Sequence, residues 1–368
     1  MGYAYAGFPV LLWVRARLFP RPHVSAEIQP SVTVVIAAHN EASIIRQRLD
    51  NLVSLDYPMD SLDVIVASDG SDDGTDEIVA SYRDSRISLL SLPRRGKAHA
   101  LNSAVARARG EILIFSDANS MYAPRSIRAL VRPFADPDVG GVAGDQQYAD
   151  VQEPGEGGER SYWGYDRMLK RWESAAGSVV QATGAIYSIR RSLFRPVPEG
   201  VSDDFVTSVG VIEQGYRLVF APDAVAYEPV APSSGAEFRR KVRIGTRMLR
   251  SEFHVRALLN PLRHGFYSVE LLSHKPLRRL MAFPVLVIGL SSGLLWRQGW
   301  IYRASAIAQF GFYATAAFGL VAGESKFGRH RLVALPAYFC MVYAAQLVAV
   351  WNILRGHRIT VWKQDRSP

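Results

Sequence analysis

Two side chains with hard oxygen donors, Asp117 and Asn119, follow directly on the short apolar run at residues 112–115. A carboxylate and an amide oxygen at this spacing suit Mg²⁺ or Mn²⁺, which can in turn carry a diphosphate. The apolar run is typical of a strand buried on both faces, and open α/β sheets bind ligands beyond the carboxyl ends of their strands. The same polar turn could instead lead into the next helix, because Pro124 marks a helix start. These residues alone support both interpretations about equally.

A pair of adjacent carboxylates, Asp203 and Asp204, precedes an apolar helical stretch at residues 205–214. A carboxylate within hydrogen-bonding reach of a hydroxyl can act as a general base and supply roughly 10²–10⁴-fold of a rate. Asp203 would tend to raise the pKa of Asp204 by like-charge repulsion. Taken alone, the pair is more simply explained as the cap of a helix.

Two basic side chains, Arg240 and Arg243, lie three residues apart and would share one face of a helix. Arginine binds phosphate oxygens bidentately, so the two could clamp a diphosphate. A solvated basic face, or a contact with anionic lipid, is the alternative.

The elements that must position these residues alternate between strand and helix. The pattern predicts strands at residues 32–38, 62–67, 87–92 and 112–115, and helices at 42–55, from 76 onward with Thr75 as its cap, and at 97–109. Four such alternations in under ~100 residues favour βαβ units and a parallel sheet. Every polar cluster falls after a strand.

The nucleotide-binding motifs with glycine-rich loops are absent. No G-x-G-x-x-G follows the first strand, and the sequence contains no G-x-x-x-x-G-K-[ST]. The glycine-bearing segment 70–74 is acidic, and carboxylates suit hydroxyl and base N–H groups better than phosphates. We therefore expect this segment to contact a base or a ribose.

The composition favours a membrane-associated protein over a nucleic-acid-binding one. The chain has 368 residues, 48% of them hydrophobic, and a formal net charge of +9. Its basic residues crowd beside apolar segments, and no aromatic residues interleave with a basic stripe, so we expect no nucleic-acid partner. The single cysteine, Cys340, excludes an internal disulfide framework.

Four blocks in order, at residues 32–41 (VTVVIAAHNE), 67–75 (ASDGSDDGT), 95–102 (RGKAHALN) and 115–119 (FSDAN), resemble the successive motifs of family 2 glycosyltransferases. These are inverting, nucleotide-sugar-dependent enzymes of the GT-A fold. Segments 182–187, 201–205, 215–222 and 237–244 resemble the family's acceptor strand, acidic pair, late strand and basic helix. The resemblance covers roughly residues 30–250. It implies an α/β fold of the GT-A class, a Rossmann-like mixed sheet with helices on both faces, followed by transmembrane helices.

The resemblance also implies a role for each candidate residue. Asp204 would be the general base beside Asp203, and Asp117 would bind Mg²⁺ or Mn²⁺ with Asn119 as a weaker ligand. The nucleotide sugar would contact His39, Glu41, Asp69, Lys97, Asp117, Arg240 and Arg243. Among these, Asp69 would meet the base, while Lys97 would neutralise phosphate or stand as a solvated lysine at a helix start.

Three positions depart from the family's common pattern. Asn119 stands where a second aspartate is more usual, which bears on the coordination of the metal. Ile244 replaces the tryptophan of processive members such as cellulose synthases, and Thr183-Gly184 replaces their cysteine-containing motif. The last two departures speak against long-chain processive synthesis.

Apolar runs at residues 280–296, 300–321 and 332–354 have about the length of a membrane span. The basic segment 273–279 would place the preceding domain on the cytoplasmic side. The shorter run 4–14 predicts an interfacial or truncated transmembrane helix. The acidic, glycine-rich stretch 145–160 predicts a mobile loop near the acceptor, and for the following Trp163, Tyr165 and Trp172 a core role is favoured over sugar stacking.

These observations predict three regions: an N-terminal segment and linker (1–29), a cytoplasmic GT-A domain (30–265), and an interfacial helix with about three transmembrane helices (266–368). The expected protein is a multi-pass glycosyltransferase of the inner or plasma membrane. It would move a sugar from a nucleotide-diphosphate sugar, most simply a UDP-sugar, to a polysaccharide or lipid-linked acceptor. Membrane lipids, a second copy of the chain or a synthesis complex are the expected partners. The alternatives are a non-catalytic membrane scaffold and, less favoured, a nucleotidyltransferase.

Overall fold

A computed structural model describes residues 2–148, 157–228, 234–323, 325, 327–328 and 330–357. Its strands are β1 (Val32–Ala38), β2 (Leu62–Asp69), β3 (Ile87–Leu92), β4 (Ile112–Asp117), β5 (Met121–Tyr122), β6 (Val139–Tyr148), β7 (Tyr187–Arg190) and β8 (Arg217–Glu228). They form one sheet in the order β3-β2-β1-β4-β7-β6-β8-β5. Pairing is parallel from β3 to β4 and between β6 and β8, and antiparallel where β4 meets β7, β7 meets β6, and β8 meets β5. The sheet is therefore mixed, as predicted.

The helices alternate with the strands and then continue alone to the C-terminal part. They are α1 (Phe8–Leu18), α2 (Ile45–Val53), α3 (Thr75–Ala80), α4 (Lys97–Val105), α5 (Ser126–Val131), α6 (Gly157–Ala176), α7 (Asp203–Glu213), α8 (Ser234–His254), α9 (Pro261–His264), α10 (Phe266–His274), α11 (Pro276–Leu280), α12 (Ala282–Leu294), α13 (Trp300–Ala322) and α14 (Arg331–Leu354). Short 3₁₀ or π turns lie between several of them.

Strand β1 is buried at every residue and divides the core into two layers. Successive side chains of a strand point to opposite faces. Val34 and Ile36 therefore pack with Leu49 of α2 in one layer. Val35 packs with Leu101 of α4 in the other layer. Helices thus cover both faces of the sheet, which confirms the predicted layer arrangement.

Two local predictions are wrong in detail. Thr75 does not cap the helix from outside: α3 begins at Thr75, and the preceding Gly74 has φ +92°, a conformation that favours glycine. The stretch 145–160 is not one loop, because β6 continues to Tyr148 and pairs with β8 up to Glu228. Residues 157–160 begin α6, and residues 149–156 lie outside the described part of the chain.

Within the described residues, α13 and α14 are each long and apolar enough to cross a membrane, and they match the second and third predicted spans closely. The first predicted span, 280–296, is matched only by the shorter helix α12. This helix is long enough to cross a membrane only together with residues 266–280, and the helices 266–280 and 282–294 meet at 44°. Pro284 explains the break, because a proline ring clashes with the carbonyl four residues earlier, here that of Leu280, where α11 ends.

Helix α1 packs on α6. Phe8 and Leu12 are fully buried against Leu169 and Ala176 of α6, while Trp13 is half exposed on the other side. The predicted N-terminal helix is thus docked on α6 by one face, while Val10, Leu11 and Trp13 stay exposed on the rest of its surface.

Helix α8 packs along α14. A Cβ at Gly245 would lie 3.1 Å from the Cβ of Ala349, and the amide of Asn352 donates to the hydroxyl of Thr246 at 3.3 Å. The basic helix is therefore in close contact with a candidate membrane helix.

Candidate active site

The carboxyl ends of β1, β2 and β4 meet at one edge of the sheet and bring the first group of predicted residues together. Ala37 pairs with Asp117, and Ala38 pairs with Ser68, the residue before Asp69. His39 follows directly on β1. Parallel pairing thus gathers side chains that are up to 78 positions apart, from His39 to Asp117, at one edge.

Asp69 is fully buried and holds the loop that leads into α4. One of its carboxylate oxygens accepts hydrogen bonds from the backbone N–H groups of Arg95 at 2.7 Å and Gly96 at 2.9 Å. Gly96 has φ +98°, which favours glycine, so the chain can turn here and start α4 at Lys97. The predicted contact of Asp69 with a nucleotide base stays a prediction; in this structure the side chain positions the loop.

His39 and Glu41, predicted to line a nucleoside pocket, are both buried. Nδ1 of His39 lies 2.8 Å from a guanidinium nitrogen of Arg94, on the loop that Asp69 holds. The backbone N–H of Glu41 donates to the hydroxyl of Thr75 at 2.8 Å. The loops after β1 and β2 are therefore fastened to each other.

Lys97 joins the two groups of predicted acids. Its ammonium lies 2.7 Å from Oδ1 of Asp117 and 2.9 Å from Oδ2 of Asp203. Burial would lower the pKa of Lys97, but the two carboxylates outweigh it and raise this pKa above its usual value. The lysine is largely buried between two acids, so it is not a solvated side chain at a helix start.

The acidic pair opens α7 and its two members have opposite environments. Asp203 is buried, and although burial raises its pKa, Lys97 and Arg247 reverse the effect and lower it. The pKa of Asp204 is raised, first by burial and then by the charge of Asp203. Asp204 also accepts a hydrogen bond from the hydroxyl of Ser202 at 2.5 Å. Asp203 is therefore stabilised as an ionised carboxylate, whereas Asp204 accepts a proton more readily than an ordinary aspartate.

Asp117 and Asn119 lie at the end of β4 and in the turn after it. Throughout the described ranges, no group of three or more His, Cys, Asp or Glu side chains could hold a cation by itself. Mg²⁺ in nucleotide sites is commonly bound by one or two protein oxygens and completed by substrate phosphates. The donor set of one carboxylate and one amide oxygen fits that arrangement.

Glu228, at the end of β8, is a member of the site that the sequence did not reveal. Its carboxylate accepts hydrogen bonds from Ser120 at 2.5 Å and from Gln146 at 2.6 Å. Burial, followed by the charge of Asp117, raises the pKa of Glu228. The only indication in the sequence is an acid at the end of an apolar strand. The pairing of β5 with β8 places this acid beside Asp117.

Arg48 of α2 is a second unforeseen residue, fully buried beneath the site. It donates to the hydroxyl of Ser116 at 2.8 Å, and its guanidinium lies 4.2 Å from the ring centre of Tyr122. Burial lowers the pKa of Arg48 to about 10. The interior of α2 gives no hint of such a role, because charged residues are common on helices.

Arg240 and Arg243 lie on α8, three residues apart, as predicted. Arg240 is close enough to Glu228 for its charge to oppose the increase in the pKa of that carboxyl. The structure thus brings Arg240 to the Asp117 side of the site, with Arg243 one turn further along the same helix.

The segment before β7 approaches Asp117 closely. The backbone N–H of Asp117 donates to the carbonyl of Gly184 at 3.2 Å. A Cβ on Gly184 would lie only 2.9 Å from Oδ2 of Asp117. A side chain at position 184 would therefore displace the carboxylate of Asp117.

Comparison with known proteins supports the predicted family. Residues 33–197 match the family model described as glycosyl transferase family 2. The chain is 26% identical over 243 residues to the probable glycosyltransferase YdaM of Bacillus subtilis (strain 168). It is 24% identical over 238 residues to the poly-beta-1,6-N-acetyl-D-glucosamine synthase of Staphylococcus aureus (strain COL). Each match covers 62% of this chain and 57% of the relative, so the match spans little more than half the length of either relative.

A solved structure resembles nearly the whole chain. The mannosyltransferase PcManGT from Pyrobaculum calidifontis, in complex with GDP-Man and Mn²⁺, is 26% identical, with a TM-score of 0.70 and coverage of 96% of both chains. The similarity therefore extends beyond the matched domain into the C-terminal helices. Residues 33–197 accordingly form a glycosyl transferase family 2 domain, and the chain has the GT-A fold.

Proposed function

We propose that the protein is a membrane-bound, metal-assisted, inverting glycosyltransferase that moves a sugar from a nucleotide-diphosphate sugar to a polysaccharide or lipid-linked acceptor. The observation that carries the proposal is the bridge by Lys97. One ammonium contacts both Asp117, the predicted donor-side acid, and Asp203, the neighbour of the predicted base. Residues separated by 86 positions along the chain are thereby assembled into one site.

On the donor side, the residues divide between the nucleoside and the diphosphate. His39, Glu41 and the loop held by Asp69 would form the nucleoside pocket. Asp117 and Asn119 would hold Mg²⁺ or Mn²⁺, which would neutralise the leaving diphosphate when bound. Arg240 and Arg243 would add two guanidinium groups to the same anion.

On the acceptor side, Asp204 would take the proton of the attacking hydroxyl. The oxygen of that hydroxyl would form a bond to the anomeric carbon as the bond from this carbon to the diphosphate oxygen breaks on the opposite face. The electron pair of the broken bond leaves with the diphosphate, and the configuration inverts. A base with a raised pKa is suited to this step, because the closer its pKa lies to the working pH, the stronger its pull on the proton.

The donor nucleotide has two candidates. The motifs favour a UDP-sugar by resemblance, whereas the solved neighbour with 96% coverage binds GDP-Man. Both carry the diphosphate that the acids and arginines of the site would handle, so the difference lies in the nucleoside pocket and in the sugar.

The membrane location rests on the C-terminal helices. Two helices among the described residues, or three if the bent pair counts as one span, could cross a bilayer. The basic segment 273–279 lies within the bent pair, before α12, and favours a catalytic domain on the cytoplasmic side. The apolar surfaces of α12, α13 and α14 are broadly exposed, as expected for helices that face lipid.

The test is release of nucleoside diphosphate from a panel of UDP- and GDP-sugars by the detergent-solubilised protein, with Mg²⁺, Mn²⁺ or EDTA. We expect one donor to be turned over in a metal-dependent way, and Asp204→Asn to lower transfer by roughly 10²–10⁴-fold while leaving nucleotide binding intact. Release from no donor, with no metal-dependent nucleotide binding, would refute the proposal and favour a non-catalytic scaffold. The family match already disfavours a nucleotidyltransferase, and release of pyrophosphate would be required to revive it.

A further inference from the structure

The turn at residues 118–120 leads the chain from β4 to β5 across the carboxyl edge of the sheet. In the order of the strands, β4 and β5 stand four positions apart, with β7, β6 and β8 between them. A flat sheet would separate them by about 19 Å, whereas the chain from Asp117 to Met121 can reach at most about 14 Å. The sheet therefore curls on this side, and the end of β8 comes to lie beside the turn.

The last residue of the turn is bonded to the side chain that ends β8. Met121 pairs with Tyr227 in the antiparallel ladder of β5 and β8, so Ser120 and Glu228 stand opposite each other at the next step. The hydroxyl of Ser120 donates to Oε1 of Glu228 at 2.5 Å, and both side chains are buried. Because β5 has only two residues, this contact is a substantial part of what joins the turn to β8.

The carboxylate of Glu228 binds a neighbouring strand at the same time. Its Oε2 accepts a hydrogen bond from the side-chain amide of Gln146, in β6, at 2.6 Å. A carboxylate can accept at both of its oxygens, whereas an amide has one accepting oxygen and one donating nitrogen. A glutamate at this position can therefore hold the turn against β6, and a glutamine could accept through only one of its two ends.

The other end of the turn is fixed at Asp117. The backbone N–H of Asp117 donates to the carbonyl of Gly184 at 3.2 Å, and the N–H of Ser120 donates to the carbonyl of Asp117 at 3.3 Å. Asn119, the second oxygen donor proposed for the metal, lies between these two ends. Its position relative to Asp117 therefore depends on the bond from Ser120 to Glu228.

We propose that Glu228 is a positioning residue for the metal-binding turn: acting through Ser120, it holds the amide oxygen of Asn119 beside the carboxylate of Asp117. The inference rests on the proposed metal-assisted transfer and gives a task to an acid that takes no part in the proposed chemistry. Groups that orient metal ligands change the metal affinity roughly 10- to 100-fold when they are removed. Glu228 should therefore affect metal binding without touching the nucleoside pocket.

The experiment uses the full-length protein in detergent and measures its affinity for UDP and for GDP by calorimetry, once with excess Mn²⁺ and once with EDTA. The affinity in EDTA reports the nucleoside pocket and the arginines, whereas the gain on adding Mn²⁺ reports the metal-binding turn. The nucleoside diphosphate that binds more tightly is then used for the variants. This readout requires no turnover.

Glu228→Ala should weaken binding in Mn²⁺ roughly 10- to 100-fold and leave the affinity in EDTA unchanged. Glu228→Gln, which keeps one accepting oxygen, should lose less. Ser120→Ala should also weaken binding in Mn²⁺, and the double variant should bind no more weakly than Glu228→Ala, because both changes remove one shared contact. Asp223→Ala, which removes an exposed acid of the same strand, is the matched control and should change neither affinity. The thermal unfolding temperature shows whether each variant is folded.

The failure of this inference and that of the proposed function are distinguishable. An unchanged affinity of Glu228→Ala in Mn²⁺, or a loss that is equal in Mn²⁺ and in EDTA, would overturn the positioning role. Losses from Ser120→Ala and Glu228→Ala that multiply in the double variant would also overturn it, because Glu228 would then act independently of Ser120. If the unaltered protein bound neither nucleotide more tightly in Mn²⁺ than in EDTA and turned over no donor, the proposed function itself would be refuted.

Discussion

Replacing Gly184 by alanine should displace Asp117, the proposed metal ligand, without unfolding the protein. The added Cβ would lie 2.9 Å from Oδ2 of Asp117, whereas ordinary contacts begin at 3.4 Å, so the two must separate by about 0.5 Å. Asp117 cannot yield freely, because Lys97 holds its side chain at 2.7 Å and its own N–H is bonded to Gly184. The backbone of Gly184 does not have a positive φ, so alanine fits it without strain.

The size of the effect follows from that displacement. A misplacement of 1 Å at a reacting centre can cost ~10²-fold in rate, so about half that distance corresponds to a loss of roughly 10-fold in kcat/KM. This is about 1.4 kcal/mol of transition-state stabilisation. Because the displaced oxygen belongs to Asp117, the Mn²⁺ concentration for half-maximal activity should rise as well.

The assay is nucleoside diphosphate release at varied donor and Mn²⁺ concentrations, together with the thermal unfolding temperature. Gly177→Ala is the matched control, since a Cβ there meets nothing within 4 Å. If Gly184→Ala keeps full kcat/KM and an unchanged Mn²⁺ requirement, Asp117 does not bind the metal in the way described.

The remaining predictions concern the charges around the site. Lys97→Met should leave Asp117 without its ammonium partner and Asp203 with only Arg247, and unfolding experiments should show a destabilisation of about 1–3 kcal/mol. Asp204→Asn should lower transfer by roughly 10²–10⁴-fold while calorimetry finds nucleotide binding retained. Activity needs the ionised Asp204, whose pKa is raised by burial and by the charge of Asp203. As the pH is lowered, kcat/KM should therefore begin to fall at a pH above the ordinary pKa of an aspartate. Asp203→Asn should move this decrease in kcat/KM to lower pH. Arg48→Met should cost about 1–3 kcal/mol in the free energy of unfolding, measured with denaturant, since it removes the charged hydrogen bonds to Asn51 and Ser116.

The sheet and its polar edge could be predicted because their signals are local. Runs of β-branched residues mark β1 and β2. The polar residues that follow these strands are types that bind ligands more often than they pack in a core. The rule that parallel strands end at one edge then places His39, Asp69 and Asp117 together without any knowledge of their contacts. Those placements are confirmed, whereas the chemical roles remain predictions.

The unforeseen parts depend on pairing between distant segments. Glu228 reaches Asp117 only because β5 pairs antiparallel with β8, and nothing in its neighbours along the chain indicates that register. Arg48 is buried because Ser116 and Tyr122 come from elements far along the sequence. The contact of Lys97 with Asp203 likewise spans 106 positions, and a lysine at a helix start carries no sign of its partner.

The acidic stretch 145–160 differs from its prediction because its local signal is misleading. Glycines and acids indicate a loop by composition, yet Asp145 lies in β6, where its carboxylate pairs with Arg167 at 2.7 Å. Pairing with β8 overrides the weak local preference. The bend at the start of the first predicted span was also not predicted, because hydropathy counts apolar residues but does not register the clash that Pro284 imposes.

The close packing of α8 on α14 makes the catalytic region structurally dependent on the C-terminal helices. A chain shortened at residue 265 would retain all the predicted catalytic side chains, including Arg240 and Arg243. It would nevertheless strip α8 of the surface that Gly245 and Thr246 contact. Helix α8, whose arginines would bind the leaving diphosphate, is thus held in place by α14 and not by the sheet alone. If α14 crosses a bilayer as proposed, its tilt, and with it the thickness of the lipid or detergent around it, would affect catalysis as well as solubility.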